Sequence, residues 1–184
     1  MERVYKEKFE VVACTYETVP ASVEASIPAG GHLAGNRIGF DAGGSDRKVS
    51  AVVNGEVIHS EEVVWFPKLN SNPEYHYHGI LEAMKTAASK MPRVDAIGIS
   101  SAGVYIENRT MAASLFLKVG KEDFDKRIKN IYLDVAKEIG EDIPVVVAND
   151  GDVTALAGAM DLNDDSVLGI AMGTSEAGGY IDAD

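Results

Sequence analysis

Apolar residues fall into short unbroken runs along most of the chain, and these runs predict strands. Three of them, at 38–41, 49–54 and 56–65, are separated by glycines and predict consecutive strands joined by tight turns. Two further runs, at 94–101 and 143–148, predict buried strands. The pattern therefore indicates a domain built on a sheet.

Helical spacing of apolar residues occurs between these strands. One helix is predicted at 74–91, a second at 124–140, and a short third one that ends near Met160. The runs at 167–172 and 178–182 then predict a hairpin. The order βββαβαβα followed by ββ predicts an α/β fold with a mixed sheet.

The first part of the chain does not share this pattern. The run at 9–16 predicts a strand, and the small residues at 29–36 predict a loop. We expect residues 1–37 to be an N-terminal extension and residues 38–162 to form the first domain. Residues 163–184 are expected to begin a second domain that is truncated.

A faint internal repeat supports this division. Residues 38–45 and 168–175 are both apolar strands that lead into a turn of small residues. A duplicated βββαβαβα unit would explain the likeness, with the second copy ending after its opening hairpin.

Composition and charge narrow the classes of function. The 184 residues carry 17 basic and 29 acidic side chains, a formal charge of -12, which repels phosphate backbones and makes nucleic acid an unlikely main partner. The single cysteine, Cys14, permits no internal disulfide. No apolar run approaches the roughly 18 residues that cross a bilayer. We therefore expect a cytoplasmic protein with no membrane partner.

The first candidate site is the turn at residues 41–45, which reads Asp-Ala-Gly-Gly-Ser. Glycines let backbone N–H groups approach an anion closely, as phosphate requires. Asp41 could hold Mg²⁺ through water, and Ser45 or Lys48 could contact phosphate oxygens. The alternative is a glycine hairpin in which Asp41 caps its own turn.

The second turn, at residues 173–179, adds hydroxyls and backbone donors. Its matching position is Ala171, so it has no carboxylate equivalent to Asp41. Two glycine turns that face each other across a cleft could clamp the phosphates of a nucleotide from both sides.

Asn149 and Asp150 follow a predicted strand and open a helix. This places the Asp150 carboxylate at the carboxyl end of a sheet strand, where α/β sites gather. A general base that accepts a proton from a sugar hydroxyl needs such a fixed position. The alternative is that Asp150 is only the N-cap of the helix.

Other motifs support no competing chemistry. Glu74, His76 and His78 have ligand-like spacing, but they lie at an acidic helix start, and we expect no metal there. Residues 98–102 miss the last glycine of the G-x-S-x-G nucleophile elbow. The G-x-x-x-x-G-K-[ST] phosphate loop does not occur in the sequence.

Taken together, these motifs resemble the ROK family (repressors, open reading frames and kinases) in the sugar-kinase branch of the actin–hexokinase–Hsp70 superfamily. Residues 41–45 resemble the family's first phosphate motif, Asp-x-Gly-Gly-Thr. Residues 98–103 resemble its Gly-x-x-x-Pro-Gly segment, and residues 149–152 its Asn-Asp-Ala-Asn segment. Residues 172–179 resemble its second phosphate motif.

The resemblance implies a ribonuclease H-like (actin-like ATPase) domain that represents the N-terminal portion of a sugar kinase. It implies ATP-dependent phosphorylation of a sugar hydroxyl, with ATP and Mg²⁺ as cofactors, and it suggests a homodimer. The implied site residues are Asp150 as catalytic base; Asp41, Gly43, Gly44, Ser45, Lys48, Gly173, Thr174 and Ser175 for the nucleotide; Asn149, Asp150 and Gly103 for the sugar; and Asp41 for magnesium.

The sequence departs from the family pattern at several points. Ser45 replaces a threonine, Asp152 replaces an asparagine, and Ser114 stands in the segment where the family has Asn-Leu. We expect the isolated chain to be inactive, because the adenosine pocket would lie beyond Asp184. The alternative function is a non-catalytic module on the same fold that senses a sugar or regulates transcription.

Overall fold

The structure is a computed structural model that describes residues 1–23, 29–173 and 176–182. Its strands are β1 (Asn36–Ala42), β2 (Asp46–Val53), β3 (Glu56–Val64), β4 (Ala96–Ser101), β5 (Val104–Ile106), β6 (Arg109–Ala112), β7 (Val145–Ala148), β8 (Val167–Met172) and β9 (Glu176–Ile181). Its α-helices are α1 (Glu2–Tyr5), α2 (Pro73–Ala88), α3 (Lys121–Asp123), α4 (Ile131–Ile139) and α5 (Asp150–Leu162).

Five strands form one mixed sheet in the order β3-β2-β1-β4-β7. The strands β1, β2 and β3 form an antiparallel meander, whereas β4 and β7 run parallel to β1. The α/β fold with a mixed sheet is therefore confirmed. The parallel register sets Asp41 beside Ser100 and Ser100 beside Ala148, so the carboxyl ends of β1, β4 and β7 meet at one edge.

The core lies between one face of this sheet and the helices α2 and α4. Alternate residues of β1 are buried, with Ile38, Phe40 and Ala42 turned into the core. Ile80 of α2 and Val135 of α4 are fully buried in the same cluster. Period-2 alternation in the strand and helical spacing in α2 therefore bury one common apolar face.

Two sequence predictions about local structure were wrong, and one hairpin was missed. The run at 9–16 forms no strand. Val11 and Val12 would point to opposite faces of an extended segment, and both are exposed, so neither face is covered. The second helix is interrupted, because a π-helical turn at Phe124–Ile128 precedes α4. The hairpin of β5 and β6 was not predicted, since Glu107 and Asn108 adopt its left-handed turn without a glycine.

His76 is a residue of the aromatic core. His76 is fully buried, and its ring packs edge-on against Trp65, Tyr75 and Phe116. Burial lowers the pKa of His76, so the neutral ring is favoured. Within the described ranges, no three His, Cys, Asp or Glu side chains are grouped as metal ligands. No helix in those ranges is both long and apolar enough to cross a bilayer.

The outer edge of β7 is paired by a side chain. The Asn108 amide nitrogen donates to the Val145 carbonyl at 2.9 Å, and its amide oxygen accepts from the Val147 N–H at 2.9 Å. Asn108 thus replaces the two hydrogen bonds that a neighbouring strand would make. Since β7 leads directly to Asn149 and Asp150, this pairing also fixes the start of α5.

We predict that Asn108→Ala lowers the free energy of unfolding by about 2 kcal/mol more than Asn163→Ala, because two backbone groups of β7 lose their partner. Asn163 is a matched control, since its backbone is left-handed as well (φ 50° against 62°) and its side chain is exposed. Urea unfolding followed by circular dichroism measures both values. Equal losses in the two variants would contradict the structural role of Asn108.

Candidate functional site

A cleft of about 580 Å³ opens at the edge where the parallel strands end. The first glycine turn, Gly173 and the start of α5 all contribute to it. The polar and charged residues that line it include Asp41, Ser45, Asp46, Lys48, Lys68, Ser100, Ser114, Asp150 and Thr154. A second cavity of about 420 Å³ lies elsewhere, between residues 29–31 and the far end of α5.

The first glycine turn is fixed by Trp65, which follows β3. The Trp65 indole N–H donates to the Gly43 carbonyl at 2.8 Å, and its backbone N–H donates to the Ser45 carbonyl at 3.0 Å. A Cβ at Gly43 would lie 2.6 Å from the Asp46 carbonyl oxygen, so a larger residue does not fit. The turn is therefore a rigid feature of the cleft wall.

Asp46 engages two of the predicted phosphate ligands, and the sequence analysis missed it. The Ser45 hydroxyl donates to one Asp46 carboxylate oxygen at 3.0 Å, and the Lys48 ammonium forms an ion pair with the other. The hydrogen bond from Lys48 lowers the pKa of Asp46, and the same bond raises the pKa of Lys48. Both groups are therefore charged at neutral pH.

The start of α5 corrects one sequence interpretation of Asp150. Asn149, not Asp150, is the N-cap, because its amide oxygen accepts from the Gly151 N–H at 2.9 Å. Asp150 is the first helical residue, is half-buried and lines the cleft. One of its carboxylate oxygens also accepts from the Gly151 N–H, at 3.2 Å, so Asp150 shares that donor with Asn149 while it lines the cleft.

Asn149 also joins α5 to the loop after β4. Its amide nitrogen donates to the Gly103 carbonyl at 2.9 Å. Gly103 has φ +156°, and a Cβ there would lie 2.6 Å from the Ala112 carbonyl oxygen, so glycine is required. Asn149 and Gly103, both predicted sugar ligands, are thus in direct contact with each other. Both precede Asp150 in the sequence.

Two tyrosines hold the loop after β4. The Tyr132 hydroxyl donates to the Ser101 hydroxyl at 3.0 Å, and the Tyr105 hydroxyl donates to the Ala102 carbonyl at 3.4 Å. Burial raises the pKa of Tyr105 to about 12, so it stays protonated and can donate. Residues 101 and 102 are therefore anchored by two buried tyrosine hydroxyls.

Close glycine contacts bring the second turn to the cleft. The hairpin of β8 and β9 packs on α5, where a Cβ at Gly169 would lie 2.2 Å from the Ala155 nitrogen. A Cβ at Gly179 would lie 2.4 Å from the Asp152 Cα. Gly173, which follows β8, lines the same cleft as the first turn. The predicted ligands Thr174 and Ser175 lie outside the described residues.

The donor set suits a magnesium ion that is carried by phosphates. Asp41 lines the cleft at the end of β1 and is half-buried. Mg²⁺ in nucleotide sites is bound by one or two carboxylates together with phosphate oxygens and water. Asp41 fits that role, and no complete cage of protein ligands occurs in the described part of the chain.

Comparison with known proteins finds similarity in structure only: no family model and no curated protein matches the sequence. An inorganic polyphosphate/ATP-glucomannokinase from Arthrobacter superposes with a TM-score of 0.58 at 22% identity, over 80% of this chain and 58% of that one. The ROK hexokinase of Thermus thermophilus gives 0.59 at 20% identity, over 80% and 46%. A ROK family transcriptional regulator, a homologue of the Escherichia coli MLC protein, gives 0.61 at 17% identity, over 82% and 37%.

These likenesses show that the chain has the actin-like fold of ROK sugar kinases and of a ROK regulator. The chain spans between 37% and 58% of the length of these three proteins. The sequence resemblance to the ROK family and the predicted fold class agree with this finding.

We predict that Asn149→Ala destabilises the protein by about 1 kcal/mol more than Asn72→Ala. Asn72 caps α2 in the same way, through an acceptor bond from the Glu74 N–H at 3.0 Å. Both variants lose a cap, but only Asn149→Ala also loses the bond to Gly103. Thermal and urea unfolding measure the difference. If Asn72→Ala loses as much unfolding free energy as Asn149→Ala, the hydrogen bond from Asn149 to Gly103 contributes no stability and the prediction is wrong.

Proposed function

We propose that the cleft binds a sugar beside Asp150 and the phosphates of ATP at the first glycine turn, for phosphorylation of a sugar hydroxyl by the whole protein. The observation that carries the proposal is the arrangement of Asp150 and the turn at residues 43–45 on one cleft. A kinase needs a base and a phosphate cradle that share one enclosed space.

Asp150 is suited to the role of general base. It lies at the carboxyl end of the parallel strands and lines the cleft, and the N-cap position of the helix is taken by Asn149. In the proposed reaction, the sugar oxygen bonds to the γ-phosphorus while the bond to the ADP oxygen breaks. The hydroxyl proton passes to the Asp150 carboxylate.

The glycine turns and Asp41 are suited to the phosphate side. Backbone N–H groups of the first turn would stabilise negative charge, and Gly173 lines the same cleft. Asp41 would hold Mg²⁺, which neutralises phosphate charge when it is bound. Thr174 and Ser175 remain predicted ligands on sequence grounds.

A sugar-binding regulator is the second candidate, and the likeness to the ROK transcriptional regulator favours it. The same cleft would then bind a sugar without transferring phosphate. Sugar binding is common to the two candidates, whereas phosphoryl transfer to the sugar belongs to the kinase alone.

The first test is sugar binding by this chain, with hexoses and N-acetylhexosamines as a panel in calorimetry. We expect Asp150→Ala to weaken binding of the best sugar about tenfold, because a carboxylate that accepts from a hydroxyl is lost. Asp152→Ala is the matched control: it removes a carboxylate from the same helical turn, at an exposed position outside the cleft.

Asp152→Ala is expected to bind like the unchanged chain. Equal losses in both variants would show that charge alone matters and would contradict the role of Asp150. Absence of binding across the whole panel would contradict the assignment of the cleft to a sugar.

A further inference from the structure

We propose that Asp46 is an intramolecular competitor for phosphate, which occupies the ligands of the first glycine turn and so sets the affinity of this turn for anions. The inference rests on the proposed function, because it takes this turn to be the phosphate site.

The geometry of the Asp46 carboxylate is that of a bound anion. One oxygen accepts from the Ser45 hydroxyl at 3.0 Å, and the other is paired with the Lys48 ammonium. A phosphate oxygen would use the same hydroxyl and the same cation, since both prefer charged acceptors. The side chain of Asp46 is 23% exposed and that of Lys48 47%, so the pair lies at the cleft surface where a ligand would arrive.

The backbone holds Asp46 in this position. Asp46 is the first residue of β2 and is paired with Val64 of β3. Its carbonyl oxygen lies where a Cβ of Gly43 would be only 2.6 Å away, so the turn closes directly onto it. The carboxylate can leave Ser45 and Lys48 only by a side-chain rotation, which phosphate binding would have to drive.

A phosphate that enters the turn therefore meets two costs. It must break the ion pair with Lys48, and it must tolerate a charged carboxylate at close range, where like charges repel strongly. Lys68 also lines the cleft and adds a second cation to it. Removal of the Asp46 charge leaves Lys48 and Ser45 available and removes the repulsion.

The experiment uses inorganic pyrophosphate as the probe and this chain as it stands. Trp65, the single tryptophan of the sequence, donates a hydrogen bond into the turn, so its fluorescence reports on the site. We expect Asp46→Asn to bind pyrophosphate about tenfold more tightly than the unchanged chain. Asp46→Ser removes the same charge with a different side chain, so the result does not depend on the folding of one variant.

Two controls separate release of Lys48 from a general change of charge. Asp161→Asn removes an exposed carboxylate near the end of α5, outside the cleft, and is expected to leave the affinity unchanged within twofold. Lys48→Met should weaken binding, and Asp46→Asn in the Lys48→Met background should gain less than threefold. A smaller gain in affinity in the Lys48→Met background shows that Asp46 acts largely through Lys48.

The outcomes distinguish the competitor role of Asp46 from the proposed phosphate site on which it rests. If the unchanged chain binds pyrophosphate and both Asp46 variants bind it with the same affinity as the unchanged chain, the competitor role is wrong and the phosphate site stands. A tenfold gain that persists without Lys48 also overturns the competitor role. If no variant binds pyrophosphate, the assignment of the turn to phosphate falls, and the inference falls with it.

Discussion

The hydrogen bond from Asn149 to the Gly103 carbonyl ties together the two sides of the cleft. On one side, β4 and its loop are anchored by Tyr105 and Tyr132. On the other, α5 begins at Asp150 and carries the hairpin of β8 and β9 through close glycine contacts. The position of the second glycine turn relative to the first glycine turn therefore depends on how the start of α5 is held.

Charge imposes the second constraint on the cleft. Among the described residues that line it are the carboxylates of Asp41, Asp46 and Asp150 and the ammonium groups of Lys48 and Lys68. Lys48 is already paired with Asp46, so little positive charge is left for a polyanion. A cation that accompanies the phosphate chain, such as Mg²⁺ with a nucleotide, would strengthen binding here.

The sequence predicts the parts of this site that follow from regular patterns. Apolar runs fix β1, β4 and β7, and parallel pairing then brings Asp41 and Asp150 to one edge. It does not predict contacts that depend on a single side chain. Asn108 pairs the edge of β7 from a distant turn, and no local pattern marks it. Asp46, in contrast, lies two residues from Lys48 on the same strand, and their alternation on β2 could have indicated the ion pair.

The central claim is that one cleft holds a sugar and a phosphate chain at different places. Amide NMR of the ¹⁵N-labelled chain tests it directly, through separate titrations with pyrophosphate and with the sugar that binds best. The account predicts that pyrophosphate shifts the amides of residues 43–46 and of Gly173, whereas the sugar shifts those of residues 149–151. Shifts of the same amides by both ligands, or shifts confined to the second cavity around Gly30 and Leu156, would contradict it.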